Sequence, residues 1–258
     1  MSVDSIPIWA FFVGTILVVL ASIYAGLRLG SSARRRSEDE KEAPISGVSG
    51  AVLGLTAFML VFTFSIVAER YDARKALVRE DANAIRTTYL RADFMPEPNR
   101  AETKALLGKY LDLRLQFVQA NSIQSSDTLR VESDRIQRRL WDLAVSNAER
   151  DMNSDVAALY IESLNNVFEI NASRAAIGLQ ARIPIAIWVV LLGLTILGMV
   201  SIGYHSGIAG SKWSKATLLL ALSFAMVNTM IASLDRPGVS RVTQQPLVDL
   251  QRFIAAGK

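Results

Sequence analysis

The sequence predicts an all-α membrane protein. It has four transmembrane helices, with a four-helix extramembrane bundle inserted between the second and third, and the bundle helices continue from those spans. Three observations carry this expectation. Of 258 residues, 51% are hydrophobic and 20% are charged, too apolar for an ordinary soluble domain and too charged for one lying wholly in lipid. The apolar residues gather into four runs, at about 6–27, 45–68, 183–204 and 216–234, each long enough to cross hydrocarbon as a helix. Between the second and third runs, apolar residues recur every three or four positions with no strand-like alternation.

The second run organises the rest. Ile45 to Ala68 carries no charge, and the chain then turns polar with no Gly or Pro until Pro96. One apolar stripe persists across that change: Leu60, Phe64, Val67, Tyr71, Val78, Ala82, Ile85 and Tyr89. Steps of three and four keep one face of one helix, so a rod of roughly 75 Å is expected, more than twice the hydrocarbon thickness. Gly50 and Gly54 form a small-xxx-small pair suited to close helix packing. The opposite face reads Phe58, Phe62, Ser65, Glu69 and Asp72. In an oligomer it would line a pore, with Phe rings as a dewetting constriction and carboxylates as a vestibule. Alternatively the rings meet lipid or a neighbouring helix and the acids meet water.

The first span has Trp9 and Tyr24 near its ends, where aromatic rings favour the interface. Positive charges follow it rather than precede it, the reverse of a cleaved signal peptide, so a retained helix is expected. Arg34, Arg35 and Arg36 come next, followed at once by Glu38, Asp39, Glu40, Lys41 and Glu42. This short basic loop reads first as a topology anchor and only weakly as an anionic-lipid motif. Lys212 and Lys215 mark the loop between the third and fourth spans. Placing both basic loops in the cytoplasm puts the N-terminus, the bundle and the C-terminus outside.

Residues 69–182 form the expected bundle. Asn99 with Glu102 suggests a capping box for its second helix, which carries Leu106, Leu107, Tyr110, Leu111, Leu113 and Phe117. A polar break over 121–127 precedes the third helix, and Asn153, Ser154 and Asp155 open the fourth. Pro184 either kinks the passage into the third span or sits at a new helix start. The domains are therefore an N-terminal hairpin (1–68), the bundle (69–182), a C-terminal hairpin (183–234) and a tail (235–258). The tail's helix, started by Pro246, is expected to dock on the bundle through Leu247, Leu250, Phe253 and Ile254. In the fourth span Asn228 is costly to leave unpaired in hydrocarbon and is expected to face another helix.

The chain has no Cys, which excludes disulfides, thiol nucleophiles and Cys-based metal sites. Its single His, His205, cannot build a multi-His centre. The net charge of +4 is modest and the basic residues are interleaved with acids, so no nucleic-acid face is expected. No nucleotide loop, metal cluster or nucleophile–base pair appears, and Glu80 and Asp81 read as a solvated or ion-paired face. Neither a cofactor nor an enzymatic activity is expected. The expected partners are the bilayer, further copies of the chain and a small ion.

The run Phe62 to Asp93, followed by Met95-Pro96-Glu97-Pro98, resembles the bacterial membrane family called bestrophin-like domain, whose function is unknown. The shared features are the Phe-rich span end, Glu69-Arg70-Tyr71-Asp72-Ala73-Arg74, Glu80-Asp81-Ala82-Asn83-Ala84-Ile85 and Thr88-Tyr89-Leu90-Arg91. Asp235-Arg236-Pro237 and Gln245-Pro246-Leu247 fit the same pattern. Two departures stand out: Arg86 where Gly is expected, and Gly238-Val239-Ser240 in place of an aromatic-plus-Gly turn. The resemblance implies an oligomeric, pentameric ion channel whose second span lines the pore. It also implies a cytosolic helical domain, against the Lys/Arg bias above. Carboxylates beyond the Phe face suit cations better than anions. A second function from another class is a membrane-anchored sensor or scaffold whose bundle binds a ligand or partner protein.

Overall fold

The computed structural model describes residues 6–36, 42–119, 123–177, 182–210, 215–236 and 242–256, and every regular element among them is helical. In chain order these are α1 (Ile8–Arg36), α2 (Glu42–Arg91), a 3-10 turn (Ala92–Phe94), α3 (Asn99–Gln119) and α4 (Ile123–Ala148). Then follow α5 (Asp155–Ala175), α6 (Ile185–Ile208), α7 (Lys215–Asp235) and α8 (Gln245–Ala256). Helices α1, α2, α6 and α7 are long and apolar enough to cross a membrane, so this is a multi-pass membrane protein with the bundle helices between its second and third spans.

Helix α2 is unbroken over 50 residues. Its Pro44 lies in the first turn, where a missing N–H costs no helical bond, and its glycines are confined to the lipid-length first half. It ends where the chain must change conformation: Met95 is extended (φ −84, ψ 144), as the residue before a proline is obliged to be. Between α5 and α6, Pro184 is the N-cap of α6 with φ −54, so of its two expected roles it takes the new helix start. Ser154 caps α5 by accepting from Ala157 N–H. The capping box expected at α3 does not form: Ala101 N–H donates to Glu97, while Glu102 turns to Arg139 on α4. The third bundle helix starts at Ile123, inside the stretch expected to be a polar break.

The chain divides into two compact units, Met1–Tyr71 with Arg182–Arg241, and Asp72–Ala181 with Val242–Lys258. In the first, α1 crosses α6 so closely that backbones touch. A Cβ on Gly26 would lie 2.0 Å from Val200 O, and on Gly30 2.2 Å from Tyr204 O. Reciprocally, Gly203 would meet Ile23 O at 2.1 Å and Gly207 would meet Leu27 O at 2.6 Å. Only glycine permits that approach. Leu60, Val67, Trp188, Leu191 and Ile231 pack as one apolar cluster, and Val19, Ile23, Met199 and Ala221 as another.

The second unit packs large side chains instead. Tyr110, Tyr160, Leu107, Leu111, Leu140 and Leu164 are almost wholly buried. From α8, Leu247, Leu250 and Ile254 join the same core. Phe253 stays half-exposed, and Arg86 lays its guanidinium 4.4 Å from that ring's centre. Arg86, the departure from the family pattern, thus contacts the tail helix directly.

Candidate functional site

The candidate pore face of α2 is exposed. Phe58 and Phe62, one turn apart, are 66% and 53% accessible and stack with centroids 6.5 Å apart at 13°. Ser65 and Glu69 continue the exposed face, as does Asp72. The other side of the helix faces its own unit: Thr56 Oγ1 donates to Leu194 O at 3.2 Å, and Leu60, Thr63 and Val67 are buried. Ser49 Oγ lies 2.7 Å from Ser201 Oγ. Gly50 and Gly54 are exposed as well, and a Cβ added to either meets nothing within 4 Å.

At the end of α7 a polar clamp gathers several chain segments. Asp235 Oδ1 accepts from Ile183 N–H at 3.0 Å and lies 3.9 Å from Arg70 Nη1 on α2. Arg182 Nη1 donates to the Asp235 carbonyl at 3.2 Å. Arg236, buried at 5% exposure, donates to Ile6 O at 2.5 Å and lies over Phe11. Asp235 and Arg70 thus meet, while Pro237 lies outside the described residues. Asn228 is fully buried, but its Nδ2 donates to Phe224 O of its own helix at 2.9 Å rather than to a neighbouring helix.

In the second unit, Asp81 is fully buried and Arg114 and Arg174 both pair with its Oδ2; Arg114 Nε stands at 3.3 Å. Arg174 also donates to Gln244 Oε1 at 3.2 Å, beside the start of α8. Burial pushes the Arg174 guanidinium down, against the raising effect of Asp81. Burial likewise pushes the Tyr110 phenol up to about 12, so Tyr110 is neutral at physiological pH. Tyr89 is buried with Lys104 Nζ 4.8 Å above its ring. Glu80, Asn83 and Arg91 line a polar groove of about 470 Å³ with Thr87, Glu162 and Asn166. Arg91 also donates to Leu159 O at 2.6 Å.

Sequence reasoning passed over three features. The glycine pairs at Gly26/Gly30 and Gly203/Gly207 carry the same spacing as Gly50/Gly54, and that spacing is the signal. Arg114 and Arg174 extend apolar stripes, four residues after Tyr110 and Ile170, which marks them as core-facing charges. Arg236 reads in the sequence as one more basic residue of the tail and is instead buried. Among the described residues no group of three or more His, Asp or Glu is placed to hold a metal.

A family model, the Bestrophin-like domain, matches residues 13–247. Among solved structures, two point variants of a bacterial bestrophin homolog from Klebsiella pneumoniae superpose on the chain with TM-scores of 0.67 and 0.69. They are 15% and 14% identical to it; the matches cover 95% and 96% of this chain and 100% and 98% of theirs. A structure described only as a membrane protein variant matches at TM-score 0.68 and 13% identity, covering 95% of this chain and 99% of its own. No curated protein matches the chain.

Proposed function

The chain belongs to the bestrophin-like domain family, and from that premise we propose that it works as a homo-oligomeric ion channel or transport protein with α2 lining the pore. The observation that carries this reading is the two-sidedness of α2 within its membrane-length half. One side faces its own unit, where Thr56 donates to Leu194 O and Leu60, Thr63 and Val67 are buried. The other presents the stacked Phe58–Phe62 pair, Ser65 and Glu69, which its own chain leaves uncovered. Copies arranged around that face would form an aromatic constriction that gates by dewetting, with a ring of Glu69 carboxylates concentrating cations at its mouth. Gly50 and Gly54, open within one chain, suit close approach of a second copy. Residues 1–68 and 183–234 then act as the membrane hairpins and 69–182 as the extramembrane bundle.

Liposome flux tests the reading. Reconstituted protein should pass monovalent cations, and Phe58→Ala and Phe62→Ala should change conductance. Absence of flux across salt, pH and voltage, or unchanged currents in both variants, overturns it. For orientation, we propose that the N-terminus, bundle and tail face outward, since the short loops hold the Arg and Lys clusters. A lone Cys at position 122 should react with an impermeant thiol reagent on intact cells; labelling only after lysis reverses the topology.

A second reading, a sensor whose bundle binds a ligand, draws on the polar groove between α2 and α5. Fluxless protein that nonetheless bound a small polar ligand there, with binding lost in Asn83→Leu, would favour it.

A further inference from the structure

We propose that the outward face of α1 near Arg28 is a binding site for the phosphate of anionic phospholipid. The helix has 29 residues, about 43 Å at 1.5 Å each, whereas hydrocarbon is spanned by about 20. Counted from Ile8, the far hydrocarbon boundary falls at about Leu27, so Arg28 is the first side chain at the level of the headgroups. Its direction is set by packing. Gly26 and Gly30 abut the backbone of α6, and at about 100° per residue Ala21, Tyr24, Arg28 and Arg35 lie on the opposite side of the helix. All four are exposed. They face away from the helix's own unit.

Arg28 is also pre-organised. Its Nε and Nη2 donate to Tyr24 Oη at 2.8 and 2.5 Å, and its guanidinium carbon stands 5.1 Å from the Tyr24 ring centre. The phenol uses two of five N–H donors and leaves three for a phosphate. Holding the guanidinium in place beforehand removes ordering entropy that a free Arg would lose on binding. Arg34 turns the other way, packing over Gly210 at the end of α6. That leaves Arg28 and Arg35, about 10 Å apart along the axis, as the outward pair. Four guanidiniums fall within residues 28–36 before the first carboxylate, Glu38, appears. Clusters of this size at a span's end attract anionic lipid, each charge contributing on the order of 1 kcal/mol. A cationic cluster with two guanidiniums turned outward fits phosphatidylglycerol-class lipid and gives no advantage to a zwitterionic headgroup.

The test is native mass spectrometry of the full chain released from detergent, with phosphatidylglycerol or phosphatidylcholine added. Wild type should retain phosphatidylglycerol about tenfold more tightly than phosphatidylcholine. The double variant Arg28→Gln, Arg35→Gln should lose that preference and leave phosphatidylcholine retention unchanged. Tyr24→Phe, which keeps every charge, should weaken phosphatidylglycerol alone by about threefold, because only the pre-organisation is removed. Equal retention of the two lipids by wild type overturns the site, as does an unaltered preference in the double variant. A Tyr24→Phe protein indistinguishable from wild type removes Tyr24 from it.

Discussion

Where α1 crosses α6, backbone meets backbone at four glycines, and among the spans the hydroxyls of Thr15, Ser22, Thr56, Thr63 and Thr195 bond carbonyls one turn back on their own helices, Thr56 reaching Leu194 O on α6 as well. Where α2 meets α3 and α5 in the second unit, the contacts are tyrosines, leucines and a carboxylate shared by two guanidiniums. The difference follows from what surrounds each. Lipid gives no hydrophobic drive for one apolar helix to seek another, so close van der Waals approach and self-satisfied polar groups must hold the spans. Water drives large apolar faces together, and a bundle in water can bury charge when it is paired.

The sharpest way to break the contrast is to put a side chain into the glycine crossing. Gly203→Leu drives a side chain into Ile23 O, and folded, monodisperse protein in detergent should be lost, a cost of at least about 3 kcal/mol. Gly54→Leu adds the same volume in the same solvent and should leave the thermal midpoint of the protomer unchanged, because nothing of its own chain is near. If the two variants melt alike, the crossing is not close.

In the bundle, Asp81→Ala strands Arg114 and Arg174 and should destabilise by about 3–5 kcal/mol, read as a lower denaturant midpoint. A midpoint shift no larger than that of an exposed substitution such as Asp72→Ala would show that the buried carboxylate holds nothing.

The smallest effect is set by pH. Burial raises the Tyr110 phenol from its ordinary value of 10.0 to about 12. Below pH 10 both folded and unfolded states keep the proton. Between about pH 10 and 12 the unfolded chain loses it first, so stability falls with rising pH by about 2–3 kcal/mol. Thermal midpoints at pH 9 and 11.5 measure this; Tyr110→Phe should make the profile shallower, and the further change Tyr160→Phe should flatten it, because burial raises the Tyr160 phenol as well. An equally steep loss in that double variant would assign the alkaline sensitivity elsewhere.

Much of the architecture was legible because hydrophobic length and 3.6-residue periodicity are strong signals: the four spans, the long α2 and the amphipathic α8 all follow from them. The candidate face Phe58–Phe62–Ser65–Glu69 was legible for the same reason, since spacing alone assigns residues to one side. What spacing does not reveal is which of several equivalent patterns is used. Gly50/Gly54 and Gly26/Gly30 read alike, yet only the second pair finds its match in this chain, at Gly203/Gly207. Asp81 reads with Glu80 as a solvated or ion-paired face, and only the positions of Arg114 and Arg174, far away in sequence, choose between the two by pairing with it and burying it. Long-range partnership is invisible to local pattern.

The unbroken course of α2 imposes a strict arithmetic on changes in its length. Adding or deleting one residue near Ala82 would turn everything beyond it by about 100° and shift it by about 1.5 Å. The buried pair Leu77–Val78 would then fall out of phase with Ile85 and Tyr89 in the core of the second unit. Loops absorb such changes by rearranging, but a helix propagates them. Viable length variants at this point should therefore come in steps of about seven or eleven residues, which restore the phase to within about 20°.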